Sequence, residues 1–270
     1  MIGVNRQYYY RRIQQKEKDQ TLAAQVIDLV QAVRIKMPCL GVKKLYHKLE
    51  TSLKLLKVGR DKLFTILRAN GLLIKRKRQY QVTTDSHHRF KKHKNLVENL
   101  LIDRPEQVFV SDITYVGTRS NPMYLSLVTD AYSKKLMGYD LSATLEATGA
   151  NRALEKAIQN RKYPEEILIH HSDRGVQYCC ELYQKTLEQN GLKCSMTEKY
   201  DPYQNAVAER INGILKQEFL MDLEINDIEL MRTLIDNSIQ IYNTERPHYS
   251  NYMLTPEQMH QQRKIVMIPI

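Results

Sequence analysis

Apolar residues change their spacing along the chain, and the change divides it. In the first hundred residues they recur at helical intervals. Leu22, Val26, Leu29, Val30 and Val33 share one face, with Thr21 placed to cap that helix and Pro38 to stop it. Residues 41–49 predict a second, short helix with Val42, Leu45, Tyr46 and Leu49 inward. Residues 59–70 predict a third, with Leu63, Phe64 and Leu67 inward and Gly71 at its C-terminal stop. From residue 107 the pattern turns to strands, over 107–116, 123–131 and 135–142, with turns at Asn121-Pro122 and Ser133-Lys134. Connections this short imply an antiparallel meander.

A helix over 146–161 then leads to a fourth strand over 166–170, so that pair is expected to be parallel. A helix over 178–190, ended by Gly191, leads to a fifth strand over 192–196. Residues 206–220 predict a helix with Ala208, Ile211, Leu215 and Phe219 as its inner stripe. A last long helix is expected over 228–243, and Thr255 is placed to cap one more turn. The resulting organisation is a helical domain over 1–73, a connector over 74–104, an α/β core over 105–222 and a helical extension over 223–270.

Charge sharpens this division. Residues 1–100 carry 23 Lys and Arg against 7 Asp and Glu, whereas residues 101–270 carry 18 against 23. A basic arm on a mildly acidic core points to a polyanionic partner. The third helix turns Arg60, Lys62, Thr65 and Arg68 outward, and the connector opens with Lys75, Arg76, Lys77 and Arg78. Three short helices with this outer face fit a helix-turn-helix-like DNA reader, and they equally fit a small bundle with a solvated third helix. The basic connector is expected to lie along phosphates. No apolar run approaches the ~20 residues of a membrane span, and the N-terminus carries no secretory pattern. Cys39, Cys179, Cys180 and Cys194 have no zinc-ligand spacing and read as reduced thiols of a cytosolic protein.

Three acids stand out from the core. Asp112 sits inside the apolar run 108–116, Asp173 ends the run 167–173, and Glu209 opens the helix that follows, with 35 residues between the last two. An ionised carboxylate within a buried strand is costly unless a cation satisfies it. Three carboxylates brought together form a hard oxygen site suited to Mg²⁺ or Mn²⁺. On the Glu209 face of the helix stand Gly213 and Lys216, at offsets of four and seven. Lys216 suits a DNA phosphate there and is otherwise an ordinary surface lysine. Asp130 and His171 are candidates for residues that hold the ligands in place, although a histidine beside an acid is more often a packed or hydrogen-bonded one.

With their flanking words, these acids resemble the D-D-E triad of the retroviral-integrase superfamily. Ser111-Asp112-Ile113-Thr114-Tyr115, His171-Ser172-Asp173-Arg174-Gly175, 202–206 (Pro-Tyr-Gln-Asn-Ala) and the later word Asn243-Thr244-Glu245-Arg246-Pro247-His248 are similar to the OrfB transposases of bacterial insertion sequences. The resemblance implies an RNase H-like core with a five-stranded mixed sheet behind a small all-α, helix-turn-helix-like domain. It implies two ions, one shared by Asp112 and Asp173 and the other by Asp112 and Glu209, that activate the attacking oxygen and stabilise the leaving one. It further implies double-stranded DNA as substrate (element ends and target), a homo-oligomer on that DNA, an upstream OrfA product or frameshift fusion as partner, and a cytoplasmic, nucleoid-associated location. The His-His-Cys-Cys zinc module of retroviral integrases is not expected, because His87 and His88 have no suitable cysteine pair. Two rivals are a regulator whose acidic site is inert and a nuclease on the same fold.

Overall fold

The computed structural model describes residues 6–74, 93–118, 120–197, 205–219, 221 and 225–262. The chain divides into two compact units, residues 1–77 and 78–270.

The first unit is helical: α1 (Arg6–Lys36), α2 (Val42–Lys48), α3 (Glu50–Leu55) and α4 (Arg60–Ala69). Helix α1 does not begin at Thr21. The fifteen residues before Thr21 contain no Pro or Gly to break the helix, and the Thr21 hydroxyl donates to the Glu17 carbonyl one turn back instead of capping. Only the later part of α1 packs, through Val26 and Val30. These meet a core that includes Leu40, Leu45, Leu53, Leu63, Ile66 and Leu67. The Arg34 guanidinium closes the unit by donating to the Leu72 carbonyl at 2.8 Å. Helix α3 lies where the sequence pattern predicted none.

The second unit is built on one sheet, with strands β1 (Val108–Gly117), β2 (Pro122–Asp130), β3 (Leu136–Ser142), β4 (Ile169–Ser172) and β5 (Lys193–Met196) in the order β3-β2-β1-β4-β5. The meander β1-β2-β3 is antiparallel, and β4 and β5 add to it in parallel, as the helical connections require. This is the mixed five-stranded sheet expected of an RNase H-like core. Helix α5 (Ala147–Gln159) returns the chain across one face. The helix expected over 178–190 is two: α6 (Val176–Cys179) and α7 (Glu181–Gln189), broken where Cys180 takes an extended ψ of 156°. On that face Phe109, Val128, Met137, Leu154, Leu168 and Tyr183 share a core. The opposite face buries Val108, Val110 and Ala131 against Ala208 of α8 (Ala206–Glu218), with Val97, Leu100 and Ile102 of the incoming chain.

Helix α5 approaches β3 so closely that Gly138 has no room for a side chain. A Cβ there would run into the backbone of Ala153 and Ala157. Backbone cannot yield as a side-chain tip can, so Gly138→Ala is expected to cost roughly 3 kcal/mol and lower the melting temperature by about 6–12 °C. A thermal melt within 2 °C of the parent would show that α5 can lift off β3 at little cost.

The chain closes with α9 (Ile228–Thr244) and α10 (Pro256–His260). Asp227 caps α9 by accepting from the N–H groups of Glu229 and Leu230. Thr255 caps α10 in a reciprocal pair with Gln258, as its place in the sequence predicts.

Candidate active site

Strand β1 alternates its faces, so Asp112 points to the same side as Val108 and Val110, toward α8. Its carboxylate is held at both oxygens. Oδ1 accepts from the Ile113 N–H at 2.9 Å, and Oδ2 accepts from Asn212 Nδ2 at 2.6 Å. These bonds favour the charged form, yet the Asp112 carboxyl is pushed up to about 7. Burial is the largest cause, and the neighbouring charges of Asp173 and then Glu209 add to it. The Asp112 carboxyl therefore senses the charges of two acids that the sequence places on other elements.

Asp173 follows directly on β4. Its Oδ1 accepts from the Gly175 N–H at 2.9 Å, which tightens the turn into α6. A Cβ at Gly175 would press on that oxygen, so the glycine keeps the carboxylate where it is. The two histidines before it face opposite sides of the sheet. His170 is fully buried, its Nε2 2.7 Å from Ser111 Oγ and 2.8 Å from Tyr183 Oη, and burial pushes it down to about 3, so it is neutral. His171 is buried too, and its Nδ1 lies 2.9 Å from Ser195 Oγ on β5. Ser195 Oγ also accepts from the Leu96 N–H at 2.8 Å, so this pair seats the incoming chain against the edge of the sheet.

Glu209 lies in the first turn of α8, where the helix dipole favours a carboxylate. It is exposed, and partial desolvation raises its carboxyl above the usual range. The start of α8 is tied beside Asp112 by Asn205, whose Nδ2 donates to the Ser111 carbonyl at 3.2 Å. Among the described residues, no three His, Cys, Asp or Glu side chains converge closely enough to hold a metal ion. Asp112 and Asp173 turn oxygens to protein donors instead.

Asn212 is a site residue that the sequence reading missed. It stands one turn beyond Glu209 and is 7% exposed on an otherwise apolar stripe. A buried amide three residues from an acid was the available signal. Asp130 goes elsewhere. It pairs with Phe109 in the sheet, whereas Asp112 pairs with Leu127. Three residues of strand, about 10 Å, separate them. Asp130 instead accepts from the Glu106 N–H and from Ser133, and approaches His260, which in turn reaches Glu106. In that buried network burial opposes the charge of both Glu106 and His260. The hydrogen bonds between them and to their neighbours win, so Glu106 is lowered and His260 raised.

Of the expected DNA contacts, Arg60, Lys62, Thr65 and Arg68 are all exposed on α4, opposite Leu63, Ile66 and Leu67. Lys75, Arg76, Lys77 and Arg78 lie outside the described residues. Lys216 is partly buried, two turns along α8 from Glu209.

The core matches the integrase core domain family over residues 102–202, and a second integrase core domain description over 190–256. Along 92% of its length, and 92% of the relative's, the chain is 33% identical to the insertion element IS600 uncharacterized 31 kDa protein of Shigella sonnei. It is 34% identical to the transposase InsF for insertion sequence IS3A of Escherichia coli K12, over 71% of this chain and 67% of that one. The chain belongs to the insertion-sequence transposases. The transposase also shares its fold with a chain of the simian T-cell lymphotropic virus intasome, solved in complex with PP2A regulatory subunit B56 gamma. That likeness has a TM-score of 0.50 at 17% identity, over 85% of this chain and 78% of that one. Among the described residues of the transposase, no helix is long and apolar enough to cross a membrane.

Proposed function

We propose that this transposase cuts and rejoins DNA at the ends of its element through Asp112, Asp173 and Glu209. The observation that carries the reading is the Asp112 carboxyl, raised to about 7 by burial and by the charges of the other two acids. Such a cluster is unfavourable by itself and becomes favourable around a divalent cation. The donor set fits Mg²⁺ or Mn²⁺ in kind, with oxygen donors and no thiolate or imidazole. The buried Oδ1 of Asn212, without a hydrogen-bond partner among the described residues, is an acceptor available to the water shell of such an ion. Two ions held there would supply positive charge at the attacking and leaving oxygens of an in-line displacement at phosphorus.

The residues of the chain do the rest. Asn212 and the Ile113 N–H fix the Asp112 carboxylate, and Gly175 fixes that of Asp173. Glu209, in the first turn of α8, would complete the set around the ions. The exposed face of α4 and the basic stretch 75–78 hold duplex DNA, the first in a helix-turn-helix-like manner and the second along phosphates. Cutting both ends of one element calls for more than one copy on the DNA, and an OrfA-derived segment would supply a further contact. The test is direct: full-length protein, a duplex carrying the cognate ends, and Mg²⁺. Nicked and joined products that vanish with a chelator are expected. Stable binding without either product in Mg²⁺ or Mn²⁺ would make the protein a regulator instead.

Lys216 belongs to the same reading. Seven residues from Glu209 it stands about 10 Å further along the same face of α8, where an ammonium meets a phosphate as a point charge. Lys216→Ala is expected to weaken binding of terminal DNA by about 1–3 kcal/mol without altering the melting temperature, and Lys216→Arg to recover part of it. Unchanged affinity for Lys216→Ala at fixed salt would remove the residue from the interface.

A further inference from the structure

The word Asn243-Thr244-Glu245-Arg246-Pro247-His248 takes no part in the chemistry above, yet it contains the largest fully buried side chain of the described residues, Arg246. Its guanidinium meets the Glu218 carboxylate as a fork: Nε donates to Oε2 and the terminal nitrogen to Oε1, both at 2.8 Å. Glu218 is the last residue of α8, the helix that carries Glu209. One helical turn before Arg246, the ring of Tyr242 underlies the guanidinium with its centroid 5.6 Å away, and Tyr242 Oη donates to the Lys134 carbonyl at the entry to β3. Asn243 docks on the outer edge of β3. Its Oδ1 accepts from the Leu136 N–H and its Nδ2 donates to the Leu136 carbonyl, both at 3.0 Å, as a neighbouring strand would. The helix ends at Thr244, Pro247 follows its cap at Glu245, and the Arg246 guanidinium also donates to the Pro247 carbonyl.

The word and the tyrosine before it thus grip two different elements. Asn243 and Tyr242 grip the sheet that carries Asp112, and Arg246 grips the far end of the helix that carries Glu209. Helix α8 is held at its N-terminus by Asn205, beside Ser111, and at mid-length by Asn212, beside Asp112. Polar bonds over the first half of a helix leave its last turn free to tilt on apolar packing, which has no direction, and a fork at Glu218 removes that freedom. From the geometry we infer that Arg246 and Glu218 are positioning residues: their buried fork fixes the angle of α8 on the sheet and so sets how Glu209 meets Asp112. A buried ion pair is weak evidence of stability, because apolar residues of equal size often serve as well. A bidentate fork does what apolar packing does not, since it fixes direction as well as contact.

This inference rests on the carboxylate reading above, and its test separates the two. Full-length protein is compared with Arg246→Lys, Glu218→Gln, Arg246→Glu and the exchange Glu218→Arg with Arg246→Glu. Three quantities are read: the Mg²⁺ concentration that half-saturates strand transfer, Mn²⁺ affinity by electron paramagnetic resonance, and the melting temperature. Residues that orient metal ligands from outside change metal affinity by roughly 10–100-fold when altered. Arg246→Lys and Glu218→Gln are therefore expected to raise both metal constants about 10-fold, while excess metal restores most of the transfer. The exchange is expected to recover metal affinity lost in Arg246→Glu. A purely structural pair would lower the melting temperature and leave both metal constants unchanged in the folded protein, and that result overturns the inference. Should Arg246→Lys fail to fold, Glu218→Gln decides. If Glu209→Gln instead binds Mn²⁺ and transfers strands like the parent, the carboxylate reading itself falls, and this inference with it.

Discussion

Asp112→Asn, Asp173→Asn and Glu209→Gln are each expected to lower strand transfer by about 10³-fold or more, with binding of end DNA unchanged. The scale follows from removing one full charge from a site whose work is charge stabilisation. Losing about 4 kcal/mol at the transition state is a factor of roughly 10³. The amides keep the shape of the acids, so the protein is expected to fold and, if the basic first hundred residues hold DNA as proposed, to bind it as before. Wild-type transfer by any one of the three would remove that residue from the site.

Asp112→Asn should also stabilise the metal-free protein, whereas most core substitutions destabilise. The folded-state value of Asp112 is raised to about 7 from 3.8. A carboxyl raised on folding favours the folded state while it stays protonated. That advantage is lost as pH climbs from about 4 through 7, because ionising the folded form then costs more than ionising the unfolded one. At pH 8 the amide is expected to gain on the order of 1–2 kcal/mol, less than the full shift implies because the side chain is partly open to solvent. At pH 4 the gain should vanish. Equal melting temperatures for parent and variant at pH 8 would show that the cluster is not strained.

The elements that carry the three acids were legible because each rule had one outcome. The strand runs around Asp112 and before Asp173 are too apolar to lie on a surface, and the stripe Ala208, Ile211, Leu215 fixes the inward side of α8. The register of β1 on β2 was not legible. It is set by the turn between them, and it decides that Asp130 faces the Glu106 and His260 network and not Asp112. Asn212 was hidden for a related reason: an amide in an apolar helix becomes meaningful only when its partner, a hundred residues earlier, is seen 2.6 Å away. The break at Cys180 has no Gly or Pro to announce it, and the length of α1 was misjudged because Thr21 caps helices and also tolerates their interior by bonding back to Glu17. Arg246 appeared as part of a word, and its role needed the sight of Glu218.

The salt dependence of DNA binding should be the steepest response of the whole protein. Residues 1–100 hold an excess of 16 positive charges, while the remainder is negative by five. A polyanion therefore has one attractive half to meet. If about six phosphates are neutralised, log K falls with log salt at a slope near −5, and affinity drops about 10³-fold between 50 and 200 mM salt. The two groups of basic residues should then separate. Replacing Lys75, Arg76, Lys77 and Arg78 by Ala is expected to bring the slope to roughly −2 for every duplex alike, because contacts along phosphates carry no sequence information. Replacing Arg60, Lys62 and Arg68 on the exposed face of α4 should instead cost most on the cognate end and least on unrelated DNA, about 1–3 kcal/mol for each side chain that reads a base edge. Titrations at four salt concentrations, on cognate and scrambled duplexes, distinguish the two. A slope flatter than about −1 in the parent protein would mean that the basic arm is a solvated surface, and equal losses on both duplexes for the α4 variants would mean that α4 holds DNA without reading it.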